Sequence, residues 1–298
     1  MKIKTAIILA VVTVLSFFAS CNHTDNSVFG LKYPDEYKYS VGNFTYGTGV
    51  KFIDINWVKG SITITKTENE TFSVYETSDE TADELKMRYL IDGEKLTIQF
   101  WKSGCTGTVD SKYKNLTVEV PYGIGLDVDS VSADVSIDEY NNGTLNVNTT
   151  TGSVYVKKAV TEDLVLNTVS GNVTVGEASA NRIKIDSTSG NVSVSAKSCE
   201  TAKISTVSGK IDIIKSSVKE IKTDNSSGNV YIDVTSCEKI DVDTVSGTAE
   251  IKLNGAGASV KFDTLSGKYY QSDGKYEFGN AEKVVITVNT VSGDLKIE

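Results

Sequence analysis

The stretch "LNTVSGNVTVG" (Leu166–Gly176) is followed nineteen residues later by "IDSTSGNVSVS" (Ile185–Ser195), and nineteen later again by "ISTVSGKIDII" (Ile204–Ile214). The corner glycines Gly152, Gly171, Gly190, Gly209, Gly228 and Gly247 are each 19 apart, and Ala133 holds the slot one period earlier. Gly267 then follows at 20 and Gly293 at 26. Five residues before the glycine stand Val147, Leu166, Ile185, Ile204, Thr223, Val242, Phe262 and Val288; two and four after it stand pairs such as Val173 and Val175. Each unit therefore reads as a short alternating strand, a Thr-x-Ser-Gly corner, a second alternating strand and a polar turn. Alternation means that one face of each strand is buried.

The buried parity is odd before the glycine and even after it. A parity switch needs a kinked backbone, and glycine's tolerance of positive φ is the expected reason for its recurrence. A fixed period of this length, with burial between neighbouring units, is the mark of a solenoid. An immunoglobulin-like sandwich would vary its strand and loop lengths. The predicted fold is all-β, a single-chain parallel β-solenoid (β-helix) with ~19-residue coils and irregular N-terminal coils, each rung ~4.8 Å from the next.

Four segments are expected along the chain. Residues 1–21 read as a lipoprotein signal peptide and lipobox, 22–48 as a polar tether, 49–120 as irregular N-terminal β coils, and 121–298 as regular repeats. "NWVKGSITI" (Asn56–Ile64) carries Gly60 with Ile62 and Ile64 at the repeat's offsets, and "KNLTVEVP" (Lys114–Pro121) is a further strand. The last strand, "GDLKIE" (Gly293–Glu298), is expected to form the far edge, with Lys296 and Glu298 outward to discourage pairing.

The first residues look like an export signal. Lys2 and Lys4 precede an apolar run from Ala6 to Phe18, too short to span a bilayer. "FFASC" (Phe17–Cys21) then resembles the lipobox of bacterial lipoproteins, with Cys21 as the lipidated residue. Loss of Lys2 and Lys4 would take the formal charge from −9 to −11, which opposes nucleic-acid binding. The chain is thus expected outside the cytoplasm, anchored to a bacterial membrane through lipid on Cys21, at the cell surface or the periplasmic face.

Three cysteines remain. Cys105 falls in a loop. Cys199 and Cys237 lie two periods apart, so they occupy the same corner two rungs apart, with Val218 between them and Ala180 and Ala256 extending the file. Two rungs are ~9.6 Å, beyond the reach of a disulfide. Buried free thiols are expected.

The recurrent "TVSG" units, the strand "LTVEVP" (Leu116–Pro121) and the terminal "VNTVSGDLKIE" (Val288–Glu298) together resemble the adhesin domain family of bacterial surface lipoproteins, a domain of unknown function. The likeness covers roughly residues 49–298. It implies a β-solenoid on exported or membrane-attached proteins, and it brings no catalytic motif.

The residues themselves offer little chemistry. The sole histidine is His23, and the arginines are Arg88 and Arg182, so a histidine-dependent triad within the repeats is excluded. Stacked Thr and Ser at the corners read as partners for turn backbone, because a nucleophile is needed once and these recur on every rung. Asp224, Asp243 and Asp263, four before their glycines, are expected on consecutive rungs ~5 Å apart, close enough to share an oxygen-seeking cation; the competing reading is a mixed-charge, solubilising face. The aromatic stretch after Gly267 offers Tyr269, Tyr270, Tyr276 and Phe278 as partner-binding residues, or as a terminal cap. No cofactor is expected. The expected function is a non-catalytic, lipid-anchored, adhesin-like cell-envelope module that binds glycan or protein. The alternatives are a purely structural spacer and a β-helix enzyme acting on polysaccharide.

Overall fold

The computed structural model describes residues 32–79, 81–105, 114–141, 143–271 and 284–298. Cys21, His23, Tyr276 and Phe278 lie outside the described residues. The architecture is a parallel β-solenoid. Its middle consists of four 15-residue strands, β12 (Val154–Thr168), β13 (Val173–Ser187), β14 (Val192–Thr206) and β15 (Ile211–Asn225), which run through the polar turn without a break. They stack in parallel at the register the repeat demands: Leu164 lies beside Ile183, Ile183 beside Ala202, and Ala202 beside Ile221. Like residues thus stack on like. The parity switch is present, since Leu164, Leu166 and Thr168 are buried before the corner and Val173 and Val175 after it. Each fully buried aliphatic side chain contributes roughly 1.5–3 kcal/mol, so every rung is held by the one on either side of it.

The corner glycine has a different reason from the expected one. Of the corner glycines, only Gly60 (φ +95°) and Gly247 (φ +144°) adopt positive φ. The rest are required by close approach: a Cβ on Gly171 would overlap the carbonyl oxygen of Gly152, and one on Gly190 the carbonyl oxygen of Gly171. The overlap always points to the preceding rung. The corner hydroxyls act as expected. The amide of Gly171 donates to Thr168 Oγ1 at 3.0 Å, that of Gly190 to Ser187 Oγ at 2.9 Å, and that of Gly209 to Thr206 Oγ1 at 3.0 Å. Asn225 fills the same role for Gly228 at 3.0 Å.

Both ends depart from chain order. At the N-terminal end, β3 (Phe52–Trp57) and β4 (Ser61–Lys66) are not outermost. β3 lies between β7 (Lys95–Gln99) and β9 (Gly125–Ser130), and β4 lies between β8 (Asn115–Val120) and β10 (Asp134–Asn141). β11 (Thr144–Thr149) then joins β9 to β12. At the C-terminal end, β16 (Val230–Ser236), β17 (Lys239–Thr244) and β18 (Ala249–Lys252) continue the stack. The next rung in space is not the next in sequence. The last strands of the chain, β21 (Val284–Asn289) and β22 (Leu295–Ile297), slot in against β17 and β18; β19 (Ala258–Asp263) and β20 (Tyr269–Gln271) stack outside them. The glycines agree, because a Cβ on Gly293 would meet Gly247 and one on Gly267 would meet Gly293. "GDLKIE" is therefore an interior rung and not the edge expected from its place in the chain. A terminal strand left outermost would fray; here it is hydrogen-bonded on both sides.

The N-terminal rung is overlaid by antiparallel strands. β5 (Phe72–Thr77) pairs with β8 and β6 (Arg88–Asp92) with β7, while β2 (Phe44–Tyr46) and β1 (Ser40–Val41) lie outside these. The polar tether expected over residues 22–48 is thus corrected for its described part. Tyr33 donates its hydroxyl to the Trp101 carbonyl at 2.8 Å, and Phe44 stacks on Tyr89 at 3.7 Å between ring centroids. These aromatic anchors tie the segment to the domain.

Candidate functional site

The corner that carries Cys199 is a thiol file. Cys199 lies beside Val218 and Ala180, and Cys237 repeats its contacts: each thiol donates to the carbonyl two residues on, Thr201 or Lys239, at 3.3 Å. Cys105, Cys199 and Cys237 are free; Cys199 is buried and Cys237 only half-buried. Burial pushes the Cys199 and Cys237 thiols up to about 11, so neither is a reactive thiolate near neutral pH. Ala256 does not extend the file one rung beyond Cys237, because the last strands of the chain take that rung.

The acidic file is broken in the same way. Asp224 lies beside Asp243, but the neighbour of Asp243 is Asn289, and Asp263 comes only after that. Asn289 donates its amide to Asp243 Oδ1 at 2.7 Å, which occupies the carboxylate. Burial raises the pKa of Asp224, and Asp243 adds to the rise. Among the described residues no three His, Cys, Asp or Glu side chains gather in a way that could hold a metal ion.

The same face carries a stronger acidic pair nearer the N-terminus. Asp54 lies beside Asp127, and Asn56 beside Asp129. Asn146 donates to Asp127 Oδ1 and Asn148 to Asp129 Oδ1, each at 2.8 Å; Asn167 donates to Asn148 at 2.7 Å. Burial first, then the neighbouring Asp129 and Asp54, push Asp127 up to about 6. Asp129 stands in the file that runs on through Asn148 and Asn167, four before the corner, whereas Asp127 and Asp54 stand six before it, in the file that becomes Lys184 and Lys203 on later rungs. Asp127 and Asp129 each accept a side-chain amide, so the ladder is a hydrogen-bonded face. Charge elsewhere is paired along the axis: Lys157 with Asp138 at 2.6 Å, Arg182 with Asp163 at 2.8 Å, and Lys219 with Glu200 at 2.6 Å. A cleft of about 440 Å³ opens between Thr48, Lys66–Glu70 and Tyr122, with Lys66 and Glu68 paired at 2.7 Å within it.

The outermost rungs hold the clearest contrast. At the N-terminal end Trp57, Phe100, Trp101 and Met87 are buried. Lys114 occupies the corner-glycine slot of this outermost rung, since Asn115 lies beside Ser61 and a Cβ on Gly60 would meet the Lys114 carbonyl. Among the described residues no parallel rung precedes it, so a side chain fits. Its ammonium is fully buried, donates to Glu76 Oε1 and the Leu85 carbonyl at 2.5 Å each, and sits 4.6 Å from the Phe100 ring centre. Glu76 also accepts the Met87 amide at 2.6 Å. At the C-terminal end the core positions Ala258, Val260 and Phe262 are only partly buried, and the Phe262 and Tyr269 rings lie 6.1 Å apart. Leu265 is 80% exposed and Tyr270 50%. Of the four partner-binding candidates, the structure thus places Tyr269 and Tyr270 on the outermost C-terminal rung. Sequence reading missed Phe262 and Leu265 on the same rung, because their positions in the repeat are those of an interior rung.

Comparison with known proteins bears on this geometry. The family model described as Toastrack DUF4097 matches residues 50–298. Among solved structures, a "putative adhesin" from Parabacteroides merdae is similar at 16% identity and a TM-score of 0.50, over 90% of this chain and 98% of that one. A "putative adhesin" from Bacteroides fragilis shares 14% identity at a TM-score of 0.46, over 87% and 97%. A "putative lipid binding protein" from Parabacteroides distasonis shares 13% at 0.48, over 88% and 97%. At these identities the likeness concerns the fold. No curated protein matches the sequence.

Proposed function

The chain belongs to the Toastrack DUF4097 family, and from that premise we propose that it is a non-catalytic cell-envelope protein, anchored by lipid on Cys21, whose C-terminal end binds a partner. The observation that carries the reading is the incomplete cover of the outermost C-terminal rung, on which Leu265 and Tyr270 are exposed and Phe262, against Tyr269, is only half-buried. Large exposed apolar groups that cluster mark interaction sites more often than scattered ones do. The position suits an anchored molecule. Tyr33 is held against Trp101 and Ser103 at the N-terminal end, so lipid on Cys21 attaches the molecule there, and the opposite end stands ~45–50 Å away across the stacked rungs.

The non-catalytic reading is supported by where the reactive groups go. Corner hydroxyls accept backbone amides, burial holds the Cys199 and Cys237 thiols protonated, and Arg88 and Arg182 are engaged with Asp83 and Asp163. The neighbours named as adhesins belong to the same reading, in which the partner is a glycan or protein of the envelope. The test uses cells that express the full chain. A palmitate analogue should label the wild type and not Cys21→Ser. Binding of isolated envelope fractions to the wild type should fall at least tenfold with Leu265→Ser plus Tyr270→Ser. An unlabelled wild type sinks the anchor, and unchanged binding by the double variant sinks the site.

A further inference from the structure

We propose that the C-terminal end also pairs with a second copy of the chain, through antiparallel union of two β19 edges about a two-fold axis at Phe262. This deepens the reading of that end as a binding end and rests on it. The first support is the edge itself. Among the described strands, β19 has a partner on one side only, β21. It is six residues long. The opposite end of the molecule is finished by strands of two and three residues, β1 and β2. Short edge strands are a common defence against chain-to-chain pairing, and a six-residue edge is a template for it.

The second support is apolar continuity. Val260 and Phe262 occupy the seventh and fifth positions before the corner glycine. In the interior, Ile183 and Ile185 fill those positions and are completely buried, whereas Val260 and Phe262 are only partly so. Another rung laid on β19 would bury them as the interior rungs are buried. A second β19 presents the same file.

The third support is charge, which fixes the register. In an antiparallel pair, directly opposed side chains point to the same face, so inward residues face inward ones. The symmetric registers are therefore centred on a residue. Centred on Phe262, Lys261 of one copy faces Asp263 of the other, twice. Centred on Lys261 or on Asp263, a like charge faces itself, which is unfavourable, and centred on Val260, Lys261 faces the neutral Ser259, so only the Phe262 register sets opposite charges against each other. Lys261 and Asp263 already pair within the strand at 3.0 Å, with side chains 70% and 57% exposed, so both heads stand at the surface and can exchange partners across the axis. A two-fold contact of this kind closes on itself.

The test is sedimentation of the full chain in density-matched detergent across a concentration series. The wild type should dimerise. Lys261→Asp alone sets carboxylates against carboxylates across the axis, and Asp263→Lys alone sets ammonium groups against each other; each should weaken the dimer at least tenfold. An equimolar mixture of the two single variants should restore it, because the acidic edge of one then faces the basic edge of the other. The double swap, Lys261→Asp with Asp263→Lys, should also restore it. Circular dichroism identical to wild type confirms that the variants fold. A wild type that stays monomeric to ~100 µM overturns the proposal, as does a dimer indifferent to both charge reversals. Envelope binding lost in Leu265→Ser plus Tyr270→Ser, while the wild type stays monomeric, would remove the second copy and leave the binding end in place.

Discussion

At the N-terminal end the outermost rung of β7 and β8 lies under antiparallel strands, an aromatic cluster and a buried Lys114–Glu76 pair. At the C-terminal end the inward apolar file of β19, the outermost rung, is only partly buried. Yet the two ends are threaded alike: in each, the rung nearest the chain terminus is clamped one place inside the outermost rung. The difference teaches that securing a terminus and sealing a core are separate tasks. Intercalation does the first at both ends. Additional strands do the second at one end.

The largest expected effect comes from deleting residues 284–298. Val284, Ile286, Val288, Leu295 and Ile297 are buried, so roughly 10 kcal/mol of apolar burial is removed, and β19 and β20 lose the rung they stack on. Limited proteolysis should then cut throughout residues 239–271. Were the chain's end the edge of the solenoid, the same deletion would leave that region resistant.

Next come paired substitutions at the two ends, read by urea unfolding. Glu76→Ala strands the Lys114 ammonium in an apolar site and should cost about 3–5 kcal/mol. Glu76→Leu with Lys114→Met should cost clearly less, because no charge is left unpaired. Phe100→Ala should cost about 3–5 kcal/mol, and Phe262→Ala in the monomer under about 1.5 kcal/mol, since only the former is fully buried. Equal costs would erase the contrast.

A smaller effect concerns pH. Asp127 has a folded pKa of about 6, above its unfolded value. Its contribution to stability is therefore fully present below pH ~4 and is lost as pH rises through about 6. Asp127→Asn should stabilise by about 1–2 kcal/mol at pH 7, after allowance for partial exposure, and by nothing at pH 4. Melting of wild type and variant across that window checks it. The smallest effect is at the corners. Thr168→Ala removes the acceptor of the Gly171 amide and should cost about 1 kcal/mol. Thr244 has a buried hydroxyl that makes no hydrogen bond among the described residues, beside a Gly247 in positive φ; Thr244→Val should change stability by less than about 0.5 kcal/mol.

The repeat made the interior legible, because a 19-residue period with a short turn leaves each unit one possible neighbour. Leu164, Ile183 and Ile221 fall in register for that reason. It could not order the ends. Gly267 comes only one residue late, yet the turn through Asn254 and Gly255, both in positive φ, carries the chain past a vacant rung that β21 later fills. The acidic file Asp224–Asp243–Asp263 failed on that one insertion. The corner glycines were seen for the right pattern and the wrong cause, since steric approach between rungs leaves no trace in one unit read alone. Lys114 was invisible as a glycine-slot residue until its rung was known to be outermost.

Hydrogen exchange along the chain, at a dilution where it sediments as a monomer, tests the contrast between the ends most directly. Residues 284–297, last in sequence, should exchange as slowly as the interior strands β13 and β14, and β7 and β8 should be similarly slow. Residues 258–271 should exchange fastest among the solenoid strands. Protection of 258–271 equal to that of β7 and β8, or rapid exchange over 284–297, would contradict the unequal ends and the intercalated terminus.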